Sequence, residues 1–387
     1  MTNSHETIAI FPWLNIKSSI SVLDVVFVPF LDVSGNISDP IKPISEKINF
    51  VFKSLHTLAN DQRKNCTIAF ILNKGELGWK LANDDFLKVK KAALFLYLAT
   101  LAKNEYFQQL RAYTNSSYFR YFFQNLPTEN SDHVSFEVKR RGGGILVGGI
   151  KASEAVISAP LQCYEEGPSK IDENLIHALN KANEERKEVL NLIFLSLNYF
   201  SMSHTDDDFM DDLPEITFMA SAFEALLKTD QAYELSKRIG ELFAPYGNIK
   251  VGNTLNVRSG IKIDSKYEND QKEWFLHRKW IEEIHNLRSK LIHAEPTNVR
   301  EWGWLRYEHL IMGAFIYPLV VKLILQRETF YTMTHKDETH CLAVDRLLGA
   351  KGWHETEKGI GSKWTDIIFQ AYLETSIARR MKELETN

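Results

Sequence analysis

The chain has 387 residues, of which 44% are hydrophobic, 25% charged and 12% aromatic. That is the make-up of a globular protein long enough for two cores. The formal net charge is −4, so no overall positive field marks a nucleic-acid binder, and an RNA partner would need a local basic site. Three distant cysteines, Cys66, Cys163 and Cys341, form no CxxC pair. They exclude a disulfide framework or zinc ribbon and fit a reducing cytoplasm.

The opening MTNSHETIAIFPW has no basic region followed by an apolar core, so no secretion signal is expected. Thr7 to Phe11 and Ser19 to Phe30 are rich in β-branched and aromatic residues and predict strands that begin a mixed sheet. Asp39, Pro40 and Pro43 mark a turn, and the spacing of Ile48, Val51, Phe52 and Leu55 predicts a helix over Ile44 to Leu58. Cys66 to Leu72 has the length of a buried strand. Asn83, Asp84 and Asp85 offer a cap for a helix running to about Lys103.

Tyr113 to Phe123 holds six aromatic residues around Arg120. It reads as a ring-packing core helix, with a base-stacking platform for single-stranded nucleic acid as the alternative. KRRGGGILVGGI, Lys139 to Ile150, places basic residues before glycines but lacks GxxxxGK[ST]. A hairpin with glycine-rich bends is expected, with Lys139, Arg140 and Arg141 as candidate contacts to an RNA backbone.

Glu165 to Ser169, which contains Gly167 and Pro168, divides the chain into a mixed α/β domain over 1–168 and an all-helical domain over 169–387. The fold class expected is therefore α+β. Asp172 to about Phe200 is predicted as one amphipathic helix. HTDDDFMDD, His204 to Asp212, lacks the glycine and closing glutamate of a calcium loop and reads as a solvated acidic stretch. No metal site is assigned.

Pro214 suits the first turn of the next helix, ITFMASAFEALLK. Its polar stripe of Thr217, Ser221, Glu224 and Lys228 can face a seam between helices. A helix over Tyr233 to Phe243 follows. Asn248 to Asp270 reads as a polar loop carrying Lys250, Arg258, Lys262 and Lys266, with a strand possible only around Lys250 to Ile263.

A further helix is expected from about Lys272 to His293, ended by Pro296. Asn298 to Gln326 should form another, in which the apolar run Leu310 to Leu325 is interrupted by Pro318 and Lys322 and is too short for a membrane span of about 20 residues. A last amphipathic helix covers Thr365 to about Leu384. No membrane association is expected.

The helix ending at His293 carries the chemistry. At 100° per residue Ile284, Leu287 and Leu291 make a buried stripe, while Glu282, Asn286, Ser289 and His293 share the opposite side. Arg288 lies at the margin between them. A guanidinium matches phosphate oxygens and an imidazole can give or take a proton near neutrality. Together they could cleave RNA without metal, the imidazole serving the ribose 2′-hydroxyl or the leaving 5′-oxygen and the guanidinium the charge growing on phosphorus. Arg278 and His285 provide a second arginine and histidine on the same helix, so spacing alone is a weak signal.

Two elements together are more specific. Ala222-Phe223-Glu224-Ala225-Leu226-Leu227 followed by Arg288-Ser289-Lys290-Leu291-Ile292-His293 resembles the HEPN superfamily, with its R-x4-6-H signature at a helix end, and most closely the Apea-like HEPN branch. The resemblance covers about Asp172 to Gln326. It implies an all-α bundle and a metal-independent endoribonuclease without cofactor, acting on RNA in prokaryotic antiviral defence, abortive infection or a toxin-like system. It also implies a homodimer that combines two arginine–histidine pairs, with a regulatory protein or phage trigger as a further partner.

Carried over, Arg288 and His293 are catalytic, and Ser289 is the polar residue after the arginine, where active members often have Asn, Asp or His. Glu224 and Asn286 support them, and Lys290 is a further candidate for RNA contact. The competing expectation is a catalytically silent module for dimerisation or protein binding, in which Arg288 pairs with a carboxylate and His293 caps its helix. A regulator or target within a toxin–antitoxin pair is a third.

Overall fold

A computed structural model describes residues 7–31, 46, 48, 56–57, 65–73, 76–78, 83–103, 116–125, 133–140, 143–151, 156–157, 169–185, 187–205, 212–293, 302–351 and 363–385. The chain divides into two compact units, one from Met1–Thr100 and Asn115–Ile171, the other from Asp172–Asn387 with Leu101–Thr114. The architecture is α+β.

The first unit contains β1 (Thr7–Phe11), β2 (Ile20–Val22), β3 (Val25–Leu31), β4 (His56–Thr57), β5 (Asn65–Asn73), β6 (Glu76–Gly78), helix α1 (Asn83–Leu101), β7 (Phe122–Asn125), β8 (His133–Arg140), β9 (Gly143–Lys151) and β10 (Val156–Ile157). Seven strands lie in the order β2-β3-β5-β1-β7-β8-β9, with β6 added to β5. All these pairings are antiparallel. The order explains the composition of β5: Cys66 to Ile71 are all at most 1% exposed, so this inner strand is covered on both faces and reads as a continuous apolar run. Phe86 and Tyr97 of α1 meet Phe123 and Phe119 with ring centroids 4.1 and 5.3 Å apart.

Two expectations for this unit are corrected. Where Tyr113 to Phe123 was expected to be a helix, Ser116–Phe119 is a 3₁₀ turn and β7 follows. Aromatic residues fit an extended backbone, and pairing of β7 with β1 brings Tyr121 within 4.9 Å of Phe11. Phe119 and Phe123 are buried, as core rings rather than a stacking platform. Of the helix expected over Ile44 to Leu58, Glu46 and Ile48 are helical, but His56–Thr57 is a strand that pairs in parallel with Val156–Ile157. The glycine-rich stretch does form a hairpin, with Lys139 opposite Gly144 and Arg140 opposite Gly143.

The second unit contains α2 (Glu173–Glu184), α3 (Val189–Met202), α4 (Asp212–Leu227), α5 (Ala232–Phe243), α6 (Glu268–Glu273), α7 (Leu276–Ile292), α8 (Arg306–Arg327), α9 (His335–Gly349) and α10 (Lys363–Glu385). The single helix expected over Asp172 to Phe200 is two. Between Ala182 and Val189 the sequence NEERKE supplies no apolar anchor, and α2 closes with the Glu185 N–H donating to Lys181 O at 3.1 Å. The expected Lys272 to His293 helix is also split, because Trp274 is extended at ψ 146°. Lys250 to Ile263 forms no named strand, only a bridge from Lys250 to Phe275.

Aromatic rings fill the core of this unit. Phe223 of α4 packs edge-on against Trp280 of α7 and Tyr317 of α8, and Phe200 of α3 stacks on Tyr317 at 4.0 Å. Gly313 allows α8 to approach α4 closely: a Cβ there would lie 2.0 Å from Met219 Sδ. Helix α8 continues through Pro318. It is long and apolar enough to cross a membrane, but 89% of its apolar window is buried within the protein.

Candidate functional site

Helix α7 presents three different sides. Leu276, Trp280, Ile281, Ile284 and Leu287 are buried against neighbouring helices, which fixes the helix like a rail in the core. Asn286 and His293 are exposed, with Arg288, Ser289 and Lys290 half-buried.

On the side facing α4, Arg288 Nη2 lies 3.5 Å from Glu224 Oε2, the arginine side chain being 27% exposed and the glutamate 10%. His285, one turn earlier, brings Nε2 to 3.5 Å from the other carboxylate oxygen. The same Nε2 is 2.8 Å from the Asp230 carbonyl. A carbonyl only accepts, so His285 carries a proton on Nε2. Glu224 Oε1, His285 Nδ1 and Arg288 Nε are shielded and have no hydrogen-bond partner among the described residues. The seam is therefore held by charge at long range rather than by short, directed bonds. Burial raises the Glu224 carboxyl above its ordinary range, Arg288 and His285 pull it back down, and Asp230 adds to the rise.

His293 ends α7. Its backbone is at φ −85°, ψ 7°, and its N–H donates to the Ser289 carbonyl at 3.1 Å. The contact between these two residues is thus main chain to main chain. Among the described residues no hydrogen bond or ion pair joins the His293 imidazole to Arg288. Arg278 belongs elsewhere: its guanidinium stacks 3.7 Å from the Trp274 ring centroid and 5.6 Å from Tyr233.

Round the helix from the seam, Asn286, Ser289 and Lys290 line a cleft of about 330 Å³ with Lys279, Glu282, Glu283, Lys262 and Trp302. Lys139 and Arg140 stand on β8 in the first unit, and Arg141 lies outside the described residues. So does most of the acidic run, Asp206 to Asp211. His204 at its start is fully buried, with Nε2 3.0 Å from the Leu310 carbonyl and Nδ1 2.7 Å from Ser203 Oγ. Burial lowers it to about 4, so it serves as an uncharged link between α3 and α8. Among the described residues no group of three His, Cys, Asp or Glu side chains is placed to hold a metal ion.

No family model, curated protein or solved structure matches this chain. Sequence reasoning passed over His285 as a chance repeat and missed Trp302 altogether. An EWGW run between two helices, with Gly303 allowing close approach, is the signal that could have found the latter.

Proposed function

We propose that this protein is a metal-independent HEPN-type endoribonuclease, with its helical unit as a HEPN-like bundle and Arg288 and His293 as its catalytic residues. The observation that carries this reading is the end of α7, where a partly exposed guanidinium and an exposed imidazole share the last two turns of one helix. Glu224 restrains Arg288 without enclosing it.

In this mechanism the ribose 2′-oxygen attacks phosphorus while a histidine takes its proton. The bond to the 5′-oxygen breaks as a proton is delivered to that leaving group. The products are a 2′,3′-cyclic phosphate and a 5′-hydroxyl. Arg288 holds the non-bridging oxygens and stabilises their growing charge. One proton must be taken and one given, and a two-fold homodimer supplies two imidazoles and two guanidiniums to a single scissile phosphate. Asn286, Ser289 and Lys290 flank it as substrate contacts, and Lys139, Arg140 and Arg141 of the first unit are further candidates for the RNA backbone. Such an activity, restrained until a trigger or regulatory protein releases it, suits cytoplasmic antiviral defence by abortive infection or a toxin-like system.

The test is expression of the wild-type protein, Arg288→Ala and His293→Ala, scoring growth arrest and cleavage of total RNA in EDTA. Each substitution should reduce cleavage by roughly a hundredfold or more. Equal behaviour of all three forms would remove the nuclease reading.

One observation favours a second reading. Glu224 faces two side chains of α7, Arg288 and His285, as a tie between helices would, and the His293 main chain ends the helix. A silent dimerisation or protein-binding module would use these residues for stability alone, so the same variants would lower the melting temperature of a protein that never cleaves RNA.

A further inference from the structure

The cleft beside the Arg288 seam has a chemistry of its own. Its volume, about 330 Å³, is at the small end of ligand sites, which run from about 300 to 1,000 Å³. That suits one nucleotide better than several. Its walls come from two places: α7 gives Lys279, Glu282, Glu283, Asn286, Ser289 and Lys290, and the far side gives Lys262 and Trp302.

The acidic groups in it are already engaged. Glu283 accepts the Gly303 and Trp304 N–H groups at 3.1 Å each and lies 3.4 Å from His309 Nε2. Glu282 takes the Lys279 ammonium and a 3.3 Å bond from Gln271 Nε2. Lys290 is different. It has no ion pair among the described residues, and its ammonium stands 5.2 Å from the Trp302 ring centroid. Lys262 approaches the same ring at 5.9 Å.

Trp302 is fixed by its backbone while its indole stays partly open to solvent. The chain at Gly260 passes so close that a Cβ there would lie 2.1 Å from the Trp302 carbonyl oxygen. The next residue, Gly303, is pinned by Glu283. A ring held on a rigid backbone at the mouth of a cleft loses little freedom on binding a flat partner.

The ligand that satisfies an indole, an ammonium without an ion pair, an amide and a hydroxyl together is a planar ring bearing an anion. We propose that this cleft receives one unpaired nucleotide of a single-stranded RNA, its base against Trp302, its phosphate at Lys290 and its polar edge at Asn286 and Ser289. Bases in a duplex are stacked on both faces and cannot enter such a site, whereas an unpaired base can be turned out and stacked on an aromatic side chain. Ser289, the residue after Arg288, belongs to the cleft wall, so a strand seated there would pass one residue from the catalytic arginine. The proposal thus rests on the ribonuclease reading for the fate of the strand, but not for its binding.

The test uses the full chain and a fluorescently labelled 2′-O-methyl oligoribonucleotide, which lacks the attacking hydroxyl and cannot be cut. Binding is followed by anisotropy for the single strand, for the same strand in a duplex and in competition with adenosine 5′-monophosphate. The wild type should bind the single strand more tightly than the duplex. Trp302→Leu should weaken it roughly ten- to hundredfold and Trp302→Phe much less, since a ring remains. Lys290→Gln should reduce the slope of log affinity against log salt by about 0.7.

Wild-type affinity in Trp302→Leu would overturn the proposal, as would equal affinity for the duplex or a monophosphate that binds as tightly as the strand. Should Trp302→Leu misfold, the Lys290→Gln salt slope decides alone, an unchanged slope sinking the phosphate contact. The two readings fail separately. Trp302-dependent binding by a protein that never cleaves ordinary RNA removes the nuclease and keeps the cleft, whereas cleavage with Trp302-independent binding does the reverse.

Discussion

Two of the arginine–glutamate pairs in the helical unit are built to opposite specifications. Arg258 and Glu308 are buried, at 3% and 4% side-chain exposure, and meet through two bonds of 3.0 and 3.1 Å. The same guanidinium donates to the carbonyls of Gly303, at 3.0 Å, and Ala350 and lies 5.7 Å from the Trp304 ring centroid. Arg288 and Glu224 meet at 3.5 Å, with the arginine 27% exposed. The first pair holds the loop before α8 in place, and both terminal nitrogens of its arginine are spent on protein. In the second the arginine retains donors and a route to solvent, which is what a phosphate-binding arginine needs. The histidines repeat the contrast, with His204 sealed between α3 and α8 and His293 exposed at the end of α7.

The largest effect expected from this contrast is on folding. Arg258→Ala leaves the Glu308 carboxylate buried without its partner and should lower the unfolding free energy by about 3–5 kcal/mol in a denaturant titration. A loss below 1 kcal/mol would mean that the two pairs are energetically alike. Glu224→Gln should leave the fold intact yet reduce RNA cleavage roughly ten- to hundredfold, because Arg288 is no longer held at its angle. The loss should appear in kcat more than in KM. Burial also raises the Glu224 carboxyl, so activity should begin to fall on acidification at a higher pH than an exposed carboxylate would dictate. Glu224→Gln should abolish that limb. An unaltered pH profile would show that Glu224 does not position Arg288.

The histidine contrast predicts a smaller, pH-dependent effect. His204 stays neutral when folded down to about pH 4, whereas in the unfolded chain it takes a proton near pH 6.5. Between those values the unfolded state binds more protons, so stability falls as pH falls through this window. The loss from this residue between pH 7 and pH 5 should be about 2 kcal/mol. Urea titrations of His204→Gln at both pH values should show a drop smaller by that amount. An equal drop would mean that His204 becomes protonated without opening the α3–α8 link.

Much of the helical half was legible because its signals are local. Caps and apolar spacing placed α4, α5 and α10 within a few residues, and of the buried stripe expected on α7 Ile284 and Leu287 are buried while Leu291 is only half-buried. The failures have identifiable causes. Apolar spacing carried the first long helix across NEERKE as though those polar residues belonged to it. Helix α9 went unread although Thr334 and Asp337 form a capping box at its start. In the first unit the aromatic stretch before Asn125 was expected as a ring-packing core helix, since β7 is a strand through its pairing with β8 and with β1, and β1 lies more than a hundred residues earlier. At the candidate site, the stripe carrying Glu224 was legible but its pairing with His285 was not, because contacts between helices do not follow from the pattern of either one. Trp302 needed the fold of the Gly260 loop to become visible.

The measurement that bears most directly on the account is the rate at which EDTA-treated protein cleaves RNA when Arg288 is replaced by alanine, taken together with the melting curve of the same sample. The rate should be at least about a hundredfold below wild type with stability within about 1 kcal/mol, as befits a partly exposed ion pair. Wild-type cleavage by Arg288→Ala, or loss of stability as large as that of Arg258→Ala without any wild-type cleavage to lose, would contradict it and make this arginine a second Arg258.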